Sequence, residues 1–295
     1  MANLKQLRLR IRTAKNIQQI TRAMKLVAAA RLRKSHEKTI EARPYSESLQ
    51  DLVFSLLNGS NIDQEVASHP LLSLPPSLAK SKNYGLILIT ADRGLAGAYN
   101  TSLIRKASEF MSKQEGTPFL FCIGKKGTQF FGKRGYTIVY EKSLLSSGAK
   151  FEDAVELSRV AQEMMNSKQL HAIYLAYSKF YSPIKQVPDV VKLLPVSLPQ
   201  HYSHPEAPHN YLFEPDPKQI LNTILPRYLL ALIYQTLLES NASEHGARMT
   251  AMTSATDNAT KVIDHLTLIA NRERQAGITT EILEVVSGAE ALSRI

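Results

Sequence analysis

Residues 224–270 read ILPRYLLALIYQTLLESNASEHGARMTAMTSATDNATKVIDHLTLIA. In this stretch Ile224, Tyr228, Ala231, Gln235, Leu238, Ala242, His245, Met249, Met252, Thr256, Ala259, Ile263, Leu266 and Ala270 follow an unbroken 4-3-4-3 spacing. That spacing is the sequence form of a left-handed coiled coil. Its seam is unusual, because Gln235, His245 and Thr256 are polar and four positions are Ala. A seam of small and polar residues packs closely but adheres weakly.

A second long helix is expected at the other end. Leu4, Leu7, Ile11, Ala14, Ile17, Ile20, Met24 and Val27 recur at spacings of three and four, which predicts one apolar stripe on a helix from about Asn3 to Leu57. At ~1.5 Å per residue such a helix is roughly 80 Å long. Pro44 is expected to kink it or end it locally. Neither end has a second long helix beside it in sequence. The economical solution pairs the two ends with each other, antiparallel.

Between the ends the punctuation changes. All 14 prolines lie from Pro44 to Pro226, and ten of the 13 glycines lie from Gly59 to Gly148. These residues break regular structure, so the middle is a turn-rich unit. Strands are expected at Tyr84–Thr90, Pro118–Ile123, Tyr136–Glu141, His171–Tyr177 and Val190–Pro195, and helices at Leu95–Gln114, Lys125–Lys133 and Lys150–Ser167. The alternation predicts an α/β fold with a mostly parallel, Rossmann-like sheet. The expected organisation is a coiled-coil helix over 1–58, a linker over 59–82, the α/β domain over 83–197, a linker over 198–216 and the second coiled-coil helix over 217–295.

Composition sets outer bounds. Of the 295 residues 44% are apolar and 21% charged, as in an ordinary folded protein. The single Cys122 cannot form an internal disulfide. No apolar run is long enough to span a bilayer, and residues 1–12 lack the apolar core of a secretion signal. Residues 1–43 carry 12 Lys or Arg against 2 Glu, so this arm alone equals the net charge of +10.

Several apparent sites fail on inspection. Gly127 to Lys133 matches the first seven positions of a phosphate-binding P-loop, but Arg134 stands where Ser or Thr must hold Mg²⁺, and two Phe residues crowd the loop. Asp92-Arg93-Gly94-Leu95-Ala96-Gly97 is expected to lie between a strand and a helix, where it could bind an anion or serve as a tight turn; the turn is favoured. His201, His204 and His209 with Glu206 could ligate a metal, but no Cys pair supports a zinc site, and a proline-rich linker with solvated histidines is the favoured reading. Cys122 lies in an apolar run and reads as packing. No nucleophile, base and oxyanion set assembles. The basic arm then suits nucleic acid, an anionic membrane or an acidic protein partner. Residues 1–43 contain no Phe, Tyr or Trp, which removes the aromatic platforms and anchors of the first two readings.

Four separated segments, in order, resemble one family. They are Ile20–Ala30, Asp92–Gly97 with Asn100, Ser243–Met252 with Ala255–Ala259 and Asn271–Ala276, and Ile278–Ala291. The last is similar to the signature of the gamma subunit of F-type ATP synthases. The resemblance implies a central shaft made of the two terminal helices, turning inside a ring of three alpha and three beta subunits. It implies that the globular part holds the epsilon subunit and sits on the membrane-embedded c-ring. It further implies that rotation couples proton flow to ATP synthesis or hydrolysis at the beta subunits and regulates ATPase activity. No catalytic residue, cofactor or metal is expected in this chain, and no nucleic acid partner.

Residue roles follow from the same resemblance. Met24 and Lys25 resemble the shaft position facing an acidic lever loop of a beta subunit. Arg248, Arg274, Gln275, Thr279 and Glu284 resemble positions that touch beta or join the two helices, with Glu281 beside them. Ala96 stands where many members have Cys, and no pair of regulatory cysteines is present. With no transit peptide expected, the resemblance implies a bacterial protein at the cytoplasmic side of the inner membrane. A basic coiled-coil adaptor and an α/β nucleotide-binding enzyme with helical arms are the alternatives.

Overall fold

The computed structural model describes residues 4–58, 69, 71–73, 81–143, 148–167, 170–196 and 217–293. Helix α1 is Leu4–Asn58. Strand β1 (Tyr84–Ile89) leads through a loop to α2 (Tyr99–Lys113), then β2 (Pro118–Ile123), α3 (Lys125–Gly132), β3 (Ile138–Lys142) and α4 (Phe151–Ser167). A hairpin of β4 (Ala172–Phe180) and β5 (Gln186–Leu194) precedes α5, Pro217–Ser293. The chain divides into two compact units, Met1–Val27 with Met249–Ile295, and Ala28–Arg248. The segments 59–82 and 198–216 lie largely outside the described residues. Leu71, one of those described, is nevertheless buried, and its carbonyl accepts from the Val196 amide.

In the first unit the two helices run antiparallel. Gln18 Nε2 donates to Thr260 Oγ1 at 2.7 Å and Thr256 Oγ1 to Thr21 Oγ1 at 2.9 Å, so one number falls as the other rises. The expected seam of α5 faces inward here, with Met252 and Ala259 buried. The seam of α1 differs from expectation after Ala14. Ile17, Ile20 and Val27 are 50%, 59% and 52% exposed, whereas Thr21 and Ala28 are buried. The 3-4 spacing of Leu4, Leu7, Ile11 and Ala14 continues through Gln18 and Thr21, not through the nearby isoleucines. Hydrophobicity drew the expected stripe one residue off the geometric seam.

The second unit is built on a five-stranded sheet of order β3-β2-β1-β4-β5. Strand β1 pairs in parallel with β2 and β4, and β2 with β3, while β5 is antiparallel to β4. All six residues of β1 are buried, as a central strand covered on both faces requires. Leu86 and Leu88 pack with Leu120, Cys122 and Ala176 against α2 and Phe131. Ile87 and Ile89 pack with Phe121, Ile123, Ile173 and Leu175 in a core shared with α4 and the inner parts of α1 and α5. That core contains Leu49, Val53 and Leu56 of α1 and Leu221, Leu225 and Leu229 of α5. These contacts carry α1 past Pro44 without ending it. Pro44 removes one helical hydrogen bond, and burial of the turns beyond it offsets the loss.

The expected elements are all present, with shifted ends. Strand β5 starts at Gln186, four residues earlier than expected, because the hairpin turn begins its pairing at Phe180–Gln186. Helix α2 starts at Tyr99 instead of Leu95. The four residues before it cannot be helical, since Leu95 (φ 61°) and Gly97 (φ 55°) are left-handed.

Candidate functional site

The loop after β1 is fixed at each end by a side chain. Asn100 Oδ1 accepts from the Ala91 amide at 2.9 Å, and Asp92 Oδ1 accepts from the Lys125 amide at 3.0 Å. Thr90 Oγ1 accepts from the Gly127 amide at 2.9 Å, which seats α3 against the strand. A Cβ on Gly127 would lie 2.9 Å from Leu88 Cδ2, so this glycine serves close packing of helix on sheet. The P-loop-like segment Gly127–Lys133 therefore lies in a helix and its cap, with Phe131 buried, and wraps no phosphate.

Helix α5 closes the loop from the other side. Arg248 Nη1 pairs with Glu244 Oε1 at 2.6 Å and donates to His245 Nδ1 at 3.2 Å. Its Nη2 lies 3.5 Å from the Arg93 carbonyl and 3.4 Å from the Gly94 carbonyl. The guanidinium thus clamps the loop to the helix and stabilises the left-handed turn at Leu95, whose conformation costs on the order of 1 kcal/mol. Burial lowers His245 to about 4, and Arg248 and Arg31 reinforce this, so the imidazole is neutral and accepts from Arg248. Burial raises Glu244 above the usual carboxylate range, although its ion pair with Arg248 opposes the shift. Tyr99 Oη shares a 2.8 Å hydrogen bond with Ser240 Oγ, and burial pushes its pKa upward.

Open α/β sheets bind ligands in the crevice at the carboxyl ends of the strands, where the strand order reverses. Here that crevice, between β1 and β4, is lined by Leu237, Ser240, Asn241 and Glu244 of α5 together with Thr90, Asp92 and Tyr99. The cavity left is about 20 Å³, room for roughly one water. The chain's own helix stands where a ligand would. Cys122 is fully buried and its thiol is pushed up to about 12 by desolvation, as packing requires. His201, His204, Glu206 and His209 lie outside the described residues. Among the described residues no cluster of His, Cys, Asp or Glu could hold a metal ion.

The site residues expected from the sequence fall into two groups. Arg248 is buried and its bonds are within the chain, in the clamp. The others lie in the helix pair. Met24 and Lys25 are half-buried on α1. Arg274, Gln275, Thr279, Glu281 and Glu284 are all exposed on the last turns of α5, and Thr279 Oγ1 donates to the Gln275 carbonyl at 3.0 Å. In the register set by Gln18–Thr260 and Thr21–Thr256, Leu4 stands opposite Arg274. Helix α5 therefore continues beyond the described start of α1. There Ile278, Ile282, Leu283, Val285 and Val286 are 44–72% exposed. Contiguous exposed apolar residues of this kind mark a surface covered by another molecule.

Two features were not read from the sequence. The Glu244–Arg248 spacing of four was visible as a helical ion pair, but its loop partners lie 154 and 155 positions away. The exposed face of Leu9, Ile17, Ile20, Leu26 and Val27 was hidden by assigning three of its hydrophobes to the seam or its continuation.

Long terminal helices, antiparallel in the first unit, and an α/β body whose crevice is lined by its own terminal helix define a class of α/β proteins with long helical arms. Comparison with known proteins narrows the class. The chain matches the model of the ATP synthase family over residues 3–292. The ATP synthase gamma chain of Solibacter usitatus is 44% identical over 292 residues, 99% of this chain and 99% of that one. The gamma chain of Moorella thermoacetica is 44% identical over 293 residues, 99% of this chain and all of that one. A chain of the Euglena gracilis mitochondrial ATP synthase, solved as OSCP/F1/c-ring, shares the fold with a TM-score of 0.67 at 18% identity, over 98% of this chain and 94% of that one. This chain belongs to the ATP synthase family and is similar to its gamma chains along its whole length.

Proposed function

We propose that the chain is the central rotor shaft of an F-type ATP synthase. Its helix pair turns inside a ring of three alpha and three beta subunits. Its α/β body carries the epsilon subunit and rests on the c-ring, and this attachment holds the chain peripherally at the cytoplasmic side of a bacterial membrane. Rotation couples proton flow to ATP synthesis or hydrolysis at the beta subunits, where the chemistry takes place. The observation that carries this reading is the exposed apolar end of α5 past Arg274, which requires a sleeve.

The residues then have distinct tasks. Lys25, in an arm of net +10, attracts an acidic loop of beta with Met24 beside it. Arg274, Gln275, Thr279, Glu281 and Glu284 meet the ring along the exposed last turns of α5. Arg248 acts through the clamp, holding the loop at Arg93 and Gly94 in place.

Mixing the chain with alpha and beta subunits and measuring ATPase activity and complex mass tests the assembly. The expected result is one chain per ring and an ATPase that depends on it. A ring that forms and hydrolyses ATP equally well without the chain overturns the reading.

A further inference from the structure

The β4–β5 turn is a rigid knob that the shaft reading leaves without a task. The Lys185 carbonyl accepts from the amides of Tyr181 and Ser182, and the Lys185 amide donates to both Ser182 oxygens. Gln186 Nε2 donates to the carbonyls of Ser182 and Pro183 at 3.0 and 2.6 Å. Below the turn, Ser243 Oγ donates to the Ser178 carbonyl at 2.8 Å, in a buried position. Phe180 meets His36 of α1 edge to face at 5.6 Å. A Cβ on Gly246 would stand 3.3 Å from the Phe180 ring and 3.4 Å from Pro183 Cα, so α5 lies directly against the hairpin.

On this fixed support Ile184 is 85% exposed, more than any other large apolar side chain described. Tyr181 beside it is 56% exposed. Lys179 and Lys185 place their ammonium groups 5.6 and 5.4 Å from the Tyr181 ring centre. Among the described residues neither lysine forms an ion pair. A branched apolar side chain is thus displayed between two exposed cations, of which Lys179 also acts on the buried Glu239 carboxyl and Lys185 does not, on a backbone that loses little entropy when bound.

We infer that the Tyr181–Lys185 tip is a docking knob for an acidic protein surface: Ile184 enters an apolar recess whose rim carries Asp or Glu for Lys179 and Lys185. The partner is another subunit of the assembled complex, so the inference rests on the shaft reading. Other polyanions fit the tip less well. Two lysines are fewer than the four or more basic residues typical of a lipid-binding cluster. Tyr181 is the one aromatic ring of the tip and two ammonium groups already lie against it, so a stacked base would have to displace them. A contact of this size is accessory to a larger interface and tunes its strength or timing.

A benzophenone-bearing phenylalanine in place of Ile184, in the assembled complex, tests the inference. After irradiation, mass mapping is expected to place the cross-link on another subunit within three or so residues of an Asp or Glu. Lys179→Glu with Lys185→Glu is expected to cut the yield about fivefold or more, as is salt high enough to shrink the screening length well below ~10 Å. Both changes are at exposed positions, but Lys179 acts on the buried Glu239 carboxyl, so Lys185→Glu alone is the control: it is expected to lower the yield while thermal melting of the free chain stays unchanged. Cross-linking to lipid, to a site without carboxylates, or at a yield indifferent to charge reversal overturns the inference, as does no cross-link in an intact complex. Loss of co-purification with alpha and beta before irradiation is the separate sign that the shaft reading itself fails.

Discussion

Arg248 shows how one side chain can hold two distant parts of the chain. It is buried, paired with Glu244, and bonded to carbonyls of a loop more than 150 positions away. Arg248→Ala leaves Glu244 buried without its cation, an arrangement that costs about 3–5 kcal/mol in comparable pairs. Urea unfolding is expected to show a loss of that order, with faster amide exchange at Ala91 and the residues after it. Glu244→Gln with Arg248→Met, which removes both charges, is expected to recover part of the stability. Unchanged loop exchange in Arg248→Ala would remove the clamp. His245 gives the pH dependence of the same cluster. Its pKa falls from the ordinary 6.5 to about 4, so the unfolded chain binds the extra proton between those values. Stability is full above about pH 6.5 and declines as pH falls toward 4, by up to about 3 kcal/mol. His245→Gln is expected to flatten this slope between pH 6.5 and 5, measured by denaturant midpoints. Cys122 is expected to react with thiol reagents only after unfolding, being fully buried and pushed up to about 12. The i,i+4 pair and the apolar setting of Cys122 were legible in the sequence. The loop carbonyls were not, because backbone groups leave no trace in residue identity.

The long helices were the most legible elements, since 3-4 periodicity acts over many turns and neither residues 1–43 nor 227–295 contain a proline. Their facing was less so. Ile17 and Gln18 compete for one seam position, and hydrophobicity favours the residue that geometry rejects. The consequence can be tested. Ile17→Ser and Ile20→Ser are expected to change the stability of the isolated chain by less than about 0.5 kcal/mol, as exposed substitutions do. They are expected to weaken assembly with alpha and beta severalfold, because the proposed shaft role turns that exposed face toward the ring. Ala14→Asp, on the seam, is expected to lower the melting temperature of the isolated chain. A reversed pattern would return Ile17 and Ile20 to the seam. The α/β elements were legible from strand–helix alternation. The start of α2 was not, because left-handed Leu95 has no residue-type signature, whereas Gly97 has one.

At the scale of the whole molecule, charge and exposed apolar surface point to partners rather than to chemistry. Ten net positive charges lie in the first 43 residues, and the last turns of α5 expose Ile278, Ile282, Leu283, Val285 and Val286. The rate of association with the ring is therefore expected to fall as salt rises toward physiological strength and above, where the screening length drops below about 10 Å. The apolar contacts are expected to keep the dissociation rate nearly constant over the same range. The central claim is rotation, and one observation reaches it directly: a bead fixed to the α/β body of a surface-held complex with alpha and beta subunits, watched as ATP is added. The account predicts stepwise rotation in one direction, stopping when ATP is removed. A complex that hydrolyses ATP while the bead stays still would contradict it.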